Sequence, residues 1–138
     1  MSETRTRAEI IRSFIPESPF ARHLGLELVS RGEGEARLRM SYSAELATLD
    51  DVVHGGAIAA LLDTTGTAAA WASDEVPADM RGATVGLTVN YVSAARGADL
   101  VATGRVVRRG RSLCFCAVEA ADPGGGLVAH GTLIYSFG

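Results

Sequence analysis

The chain has 138 residues, of which 47% are hydrophobic and 21% charged, with two cysteines and a formal net charge of -3. That length is enough for one domain with a real core, and the acidic balance argues against a general nucleic-acid binder, which needs a basic excess. Cys114 and Cys116 lie too close along one strand to crosslink comfortably and lack further metal ligands nearby, so two half-buried thiols in a reducing compartment are expected.

Residues 4–15 show helical spacing at Ile10, Ile11 and Phe14, and Pro16 predicts the end of that helix. Residues 1–18 read as a helical extension of a single domain spanning 1–138. A short turn or helix follows through Ser18 to His23. Leu24, Leu26 and Leu28 then alternate with Glu27 and Ser30, and Ala36, Leu38 and Met40 alternate with Glu35, Arg37 and Arg39. These are two half-buried strands joined by the turn sequence RGEG. The polar stretch 43–53 reads as a loop.

From Gly55 to Ser73 the only charged side chain is Asp63. Ile58, Leu61, Leu62 and Thr65 fall at i, i+3, i+4 and i+7, with alanine around most of the remaining circumference. Such a helix is expected to be enclosed by protein. It approaches membrane-spanning length, but its Ala, Gly and Thr content and central Asp63 would insert poorly. With no apolar run near the N-terminus suited to a signal peptide, a soluble cytoplasmic protein without a membrane partner is expected. Alternating runs at 84–95, 98–110 and 111–122, the turn DPGGG at 122–126 and a last run at 127–137 complete the chain. Short turns favour antiparallel neighbours. The predicted class is therefore α+β, one long central helix wrapped by a curved antiparallel sheet, the hotdog arrangement.

His54, Gly55 and Gly56 open the long helix, where the first N–H groups have no intrahelical partner and a positive partial charge can stabilise an oxyanion. The same three residues also suit a plain loop-to-helix junction. Asp63 cannot be an N-cap, and no Lys or Arg stands at 59, 60, 66 or 67 to pair with it. It is either a functional carboxylate or one held by hydroxyls such as Thr64 or Thr67. Gly55 and Asp63 are eight residues apart, about 12 Å along a helix. One helix cannot bring both to one carbonyl carbon, whereas two antiparallel copies can. Ala57, Ala59 and Ala60 would permit that approach, so the chemistry requires a dimer.

The stretch HGGAIAALLDTTGTAAA resembles the signature of the hotdog-fold acyl-CoA thioesterases of the phenylacetic-acid-degradation type, and the likeness continues through FARHLGLELVSRGEGEARLRM, TVGLTVNYVSAARGADLVATGRVVRRGRSLCFCAVEAAD and GLVAHGTLIYSF. The resemblance implies hydrolysis of a CoA thioester between two subunits, with coenzyme A as part of the substrate, no separate cofactor and no metal. It implies that the Gly55 amide polarises the thioester carbonyl, His54 supports that junction, and the partner's Asp63 acts as general base or nucleophile. It further implies that Thr84 orients water, that Gly56 helps receive the substrate, and that homodimers pair into tetramers. The family commonly has Asn six residues before the histidine, where this chain has Thr48, and a glycine where this chain has Asp51. Those departures leave a non-catalytic acyl-CoA-binding module as the alternative function. The arginine-rich stretch 105–111 is either a solvated turn or a contact for CoA phosphates, with Arg109, Gly110, Arg111 and Ser112 as the matching residues. Asn90 and Tyr91 are candidates for the acyl pocket, and Tyr91 also suits the core.

Overall fold

A computed structural model describes residues 4–138. In chain order it contains α1 (Arg7–Glu17), α2 (Pro19–Leu24), β1 (Leu26–Gly32), β2 (Glu35–Met40), a 3-10 turn (Ala44–Leu46), β3 (Ala47–Leu49), β4 (Val52–Val53), α3 (Gly55–Ala70), β5 (Ala83–Tyr91), β6 (Leu100–Arg109), β7 (Leu113–Ala121) and β8 (Leu127–Ser136). Six strands form one sheet in the order β1-β2-β6-β7-β8-β5, every neighbouring pair antiparallel. The long helix α3 packs against β6, β7, β2 and β8. This is the expected α+β hotdog arrangement.

A capping box starts α1: the Thr6 hydroxyl accepts from the Glu9 N–H, and the Glu9 carboxylate accepts from the Thr6 N–H. Pro16 does not end the helix. It sits within the last turn, and the Ser18 N–H still reaches the Phe14 carbonyl at 2.8 Å. Ile15, just before Pro16, packs in the core beside Ile10 and Ile11. Leu24, expected in the first strand, instead ends α2 before Gly25 turns left-handed at φ 70°.

The stretch 43–53 is also more ordered than expected. It holds the 3-10 turn and a two-stranded hairpin in which Asp50 takes φ 52°, a conformation that aspartate tolerates. Strands of three and two residues are too short to carry a readable period.

Leu61, Leu62, Leu38, Leu100 and Leu133 are fully buried between α3 and the sheet. Two glycines let the helix lie so close. A Cβ on Gly104 of β6 would stand 2.9 Å from the Thr65 carbonyl oxygen, and one on Gly66 would stand 2.8 Å from Leu133 Cδ1. Cys114 and Cys116 face this same layer. They are buried completely, not half-buried, with their sulfurs 3.9 Å apart. The hydrogen bond from Cys116 holds the Cys114 thiol down at about 7, and the same bond with burial pushes Cys116 up.

Enclosure of α3 is incomplete. Gly56, Ala59, Ala60, Asp63, Thr64 and Thr67 form one partly open face along the helix. Next to it, β5 is an edge strand paired only with β8, and Val85 and Tyr91 on it are more than half exposed.

Candidate active site

His54 ends the loop before α3 with extended backbone (φ -62°, ψ 135°) and caps the helix itself: the Gly56 N–H donates to His54 Nδ1 at 2.7 Å. With Nδ1 accepting, a neutral His54 carries its proton on Nε2. The Ala57 and Ile58 N–H groups both turn back to the His54 carbonyl, at 3.0 and 3.2 Å. That leaves the Gly55 N–H as the first-turn donor without a partner among the described residues. Gly56 lies at the opening of the helix as expected, but its amide is already engaged.

Tyr91 is not a core residue. It is 54% exposed, its hydroxyl donates to the Gly55 carbonyl at 2.7 Å, and its ring rests against the Gly55 Cα. A Cβ there would meet the ring at 3.3 Å, so glycine permits this contact. Tyr91 thereby holds the carbonyl of the residue that carries the free N–H.

Asp63 lies two turns along α3. Thr84 Oγ1, from β5, donates to Asp63 Oδ1 at 2.7 Å, and Thr67 Oγ1 stands 3.5 Å from the Thr84 hydroxyl. Thr64 points elsewhere and donates to the Ala60 carbonyl at 2.9 Å. The hydroxyl that holds the carboxylate is therefore Thr84, while Thr67 completes a chain of three groups. One carboxylate oxygen remains available toward a cleft of about 140 Å³ walled by Ile11, Phe14, Ile15, Thr67 and Thr84.

Asn90 does not join this site. A bulge between Thr84 and Gly86 shifts the strand by one residue, so Thr84, Leu87 and Tyr91 share the helix-facing side while Asn90 pairs with exposed His130 on the outer face. A second bulge, between Val106 and Arg108, sets Arg109 opposite Cys114. Its guanidinium donates to the Ala70 carbonyl at 3.1 Å, capping the C-terminus of α3. Arg109 thus lies at the opposite end of α3 from His54. The turn beyond it is pinned by the Gly110 N–H to the Leu113 carbonyl and by the Phe137 N–H to the Ser112 carbonyl, while Arg111 is exposed. Thr48 is exposed on β3, and Asp51 carries an ion pair to Arg96 at 3.5 Å and accepts the Gly97 N–H on its carbonyl.

The role of α1 beside Asp63 was not anticipated. Its signal is present in the sequence as Ile11 and Phe14, an i, i+3 apolar pair that the core does not fully absorb, since Phe14 stays 52% exposed.

A helix start with one free N–H, and a hydroxyl-held carboxylate on the same helix, suit acyl transfer to water. Comparison with known proteins agrees. Residues 50–129 match the family model described as the thioesterase superfamily. The chain is 30% identical to human acyl-coenzyme A thioesterase 13 over 133 residues, covering 94% of this chain and 93% of that one. The structure of zebrafish thioesterase superfamily member 2 superposes with a TM-score of 0.80 at 29% identity, covering 95% of each chain. The Escherichia coli PaaI protein from the phenylacetic acid degradation operon shares the fold, with a TM-score of 0.83 at 21% identity and 95% and 93% coverage. From the free Gly55 amide to the fold that carries it, these observations place the chain in the thioesterase superfamily, to which it belongs.

Proposed function

We propose that the protein hydrolyses acyl-CoA thioesters in a site shared by two copies of the chain, with α3 of one lying antiparallel to α3 of the other. The observation that carries this reading is the pairing of an unclaimed Gly55 N–H with a Thr84-held Asp63 on the same helix, too far apart to serve one carbonyl. The open small-residue face of α3 and the unpaired edge of β5 supply surfaces on which a second copy can pack.

In this arrangement the thioester oxygen accepts the Gly55 N–H of one subunit, which stabilises the charge that develops as the carbonyl carbon becomes tetrahedral. Asp63 of the other subunit either takes a proton from the attacking water or attacks the carbon itself, giving an anhydride that water then opens. Both routes release the free acid and CoA. Thr84, through its hydrogen bond to Oδ1, orients the carboxylate, and its link to Thr67 fixes the hydroxyl. His54 holds the helix start in place through Gly56. Arg108, Arg109 and Arg111 are all exposed guanidiniums available to CoA phosphates, Arg109 with one N–H committed to the Ala70 carbonyl.

Thiol release from a panel of fatty-acyl and aryl-acyl CoAs tests the reading. Turnover by the native chain and its loss in Asp63→Asn support it; no turnover on any member, or an unaffected variant, rules it out.

A further inference from the structure

The cleft at Asp63 does not stop there. It shares Ile11, Phe14 and Thr67 with a second cavity of about 290 Å³ that continues between α1 and α3 to Trp71, Met80 and Tyr135. The floor follows one face of the helix: Asp63, Thr67 and Trp71 are spaced i, i+4 and i+8. That spacing makes the groove about 12 Å long from the carboxylate to the indole. Together the two cavities fall in the range of small-molecule sites.

Its chemistry changes sharply along this length. At one end stands Asp63 with its two threonine hydroxyls. Beyond Thr67 the walls are Ile10, Ile11, Phe14, Trp71 and Met80, and Tyr135 and Gly82 close the far end. Phe14 and Met80, 52% and 60% exposed, face the groove from opposite banks, α1 and the loop after α3. Isolated large side chains are common at a surface, but these two border one apolar channel that opens on a carboxylate. Gly82 is required at the closed end, because a Cβ there would fall on the Tyr135 ring and hydroxyl.

We infer that this groove receives the acyl chain of the substrate, and that the chain is a flexible hydrocarbon of medium length. The inference rests on the proposed thioester hydrolysis for the identity of the group presented to Asp63. The occupant follows from continuity: an acyl group whose carbonyl carbon lies at Asp63 has this groove directly beyond it within the same subunit. The groove outlasts a single aromatic ring, and beyond the hydroxyls at its Asp63 end and Thr67 the lining offers only the Tyr135 hydroxyl. The α1 helix, through Ile11 and Phe14, then sets specificity, in place of Asn90, which faces away.

Binding of S-alkyl-CoA thioethers, which cannot be hydrolysed, separates this inference from the catalytic one. From S-ethyl-CoA to S-octyl-CoA the Kd should tighten by up to about fourfold for each methylene buried. Ile11→Trp, at the shared neck, and Met80→Trp, on the exposed bank, should each shrink the S-octyl over S-ethyl preference at least tenfold. Met80→Trp alters an exposed loop residue, so it keeps the test open if Ile11→Trp fails to fold. A native Kd indifferent to chain length, or a preference undiminished in Met80→Trp, overturns the inference. Loss of the preference in a protein that hydrolyses no thioester upholds the groove and removes the hydrolysis; turnover with no chain-length preference does the reverse.

Discussion

The Thr84 hydroxyl donates to Asp63 Oδ1 at 2.7 Å, joining the edge strand β5 to the middle of α3. This bond aims the carboxylate and leaves its other oxygen for chemistry. Thr84→Val removes the donor while keeping the shape, and should lower kcat about tenfold with a smaller change in KM. Asp63→Asn removes the base itself and should cost 10²–10⁴-fold. Steady-state kinetics on one acyl-CoA measures both. A Thr84→Val enzyme with native kcat would show that the bond serves only the fold.

The cap supplied by His54 is a separate structural contribution. His54→Ala leaves the Gly56 N–H without its acceptor and should destabilise the protein by about 1 kcal/mol. His54→Asn retains a side-chain acceptor at the cap and should recover most of that loss. Urea unfolding of the three proteins reads the difference.

Two glycines of the sheet make an internally controlled pair. At Gly104 a Cβ meets the Thr65 carbonyl oxygen at 2.9 Å, whereas at Gly86 the nearest atom is the end of Ile134 at 3.4 Å. Gly104→Ala must push α3 off the sheet and should cost about 1–3 kcal/mol, against little change for Gly86→Ala. Equal unfolding midpoints for the two variants would contradict the close packing of α3 on β6.

Alkaline pH probes the closed end of the groove. Burial raises the Tyr135 phenol above its ordinary 10.0. The folded chain therefore keeps this proton at pH values where the unfolded chain has lost it. The resulting stability is fully present below pH 10 and declines as pH rises from there through the folded value. Between pH 8 and pH 11 the urea midpoint should fall further for the native chain than for Tyr135→Phe. An identical fall in both would show that the phenol is not buried from solvent.

Much of this fold was legible because its signals are periodic. Ala36, Leu38 and Met40 alternate as read, and Leu61 and Leu62 mark the buried side of α3. What was not legible turns on single-residue irregularities. Strict alternation from Thr84 puts Asn90 on the same face, and only the bulge near Gly86 reverses that and brings Tyr91 to Gly55. The bulge after Val106 likewise brings the still exposed Arg109 within reach of the end of α3. Such bulges leave no mark in the hydrophobic period. At the site, the carboxylate and the helix start stood out as chemical oddities, whereas the part played by α1 depended on where Ile11, Phe14 and Ile15 pack. The sequence period alone gives no hint of where that helix docks.

Whether the site is shared between subunits can be read from mixed oligomers. Gly55→Pro deletes the free N–H at the first helical position, where the extended backbone of His54 suits a following proline and the exposed Tyr91 ring must give way to the new Cβ. Asp63→Asn deletes the carboxylate. Each variant alone should lose at least about a hundredfold in kcat/KM. Unfolded together in equal amounts and refolded, they should regain about one quarter of native activity, because half the dimers are mixed and each mixed dimer holds one intact site. A mixture no more active than its two components would contradict the shared site.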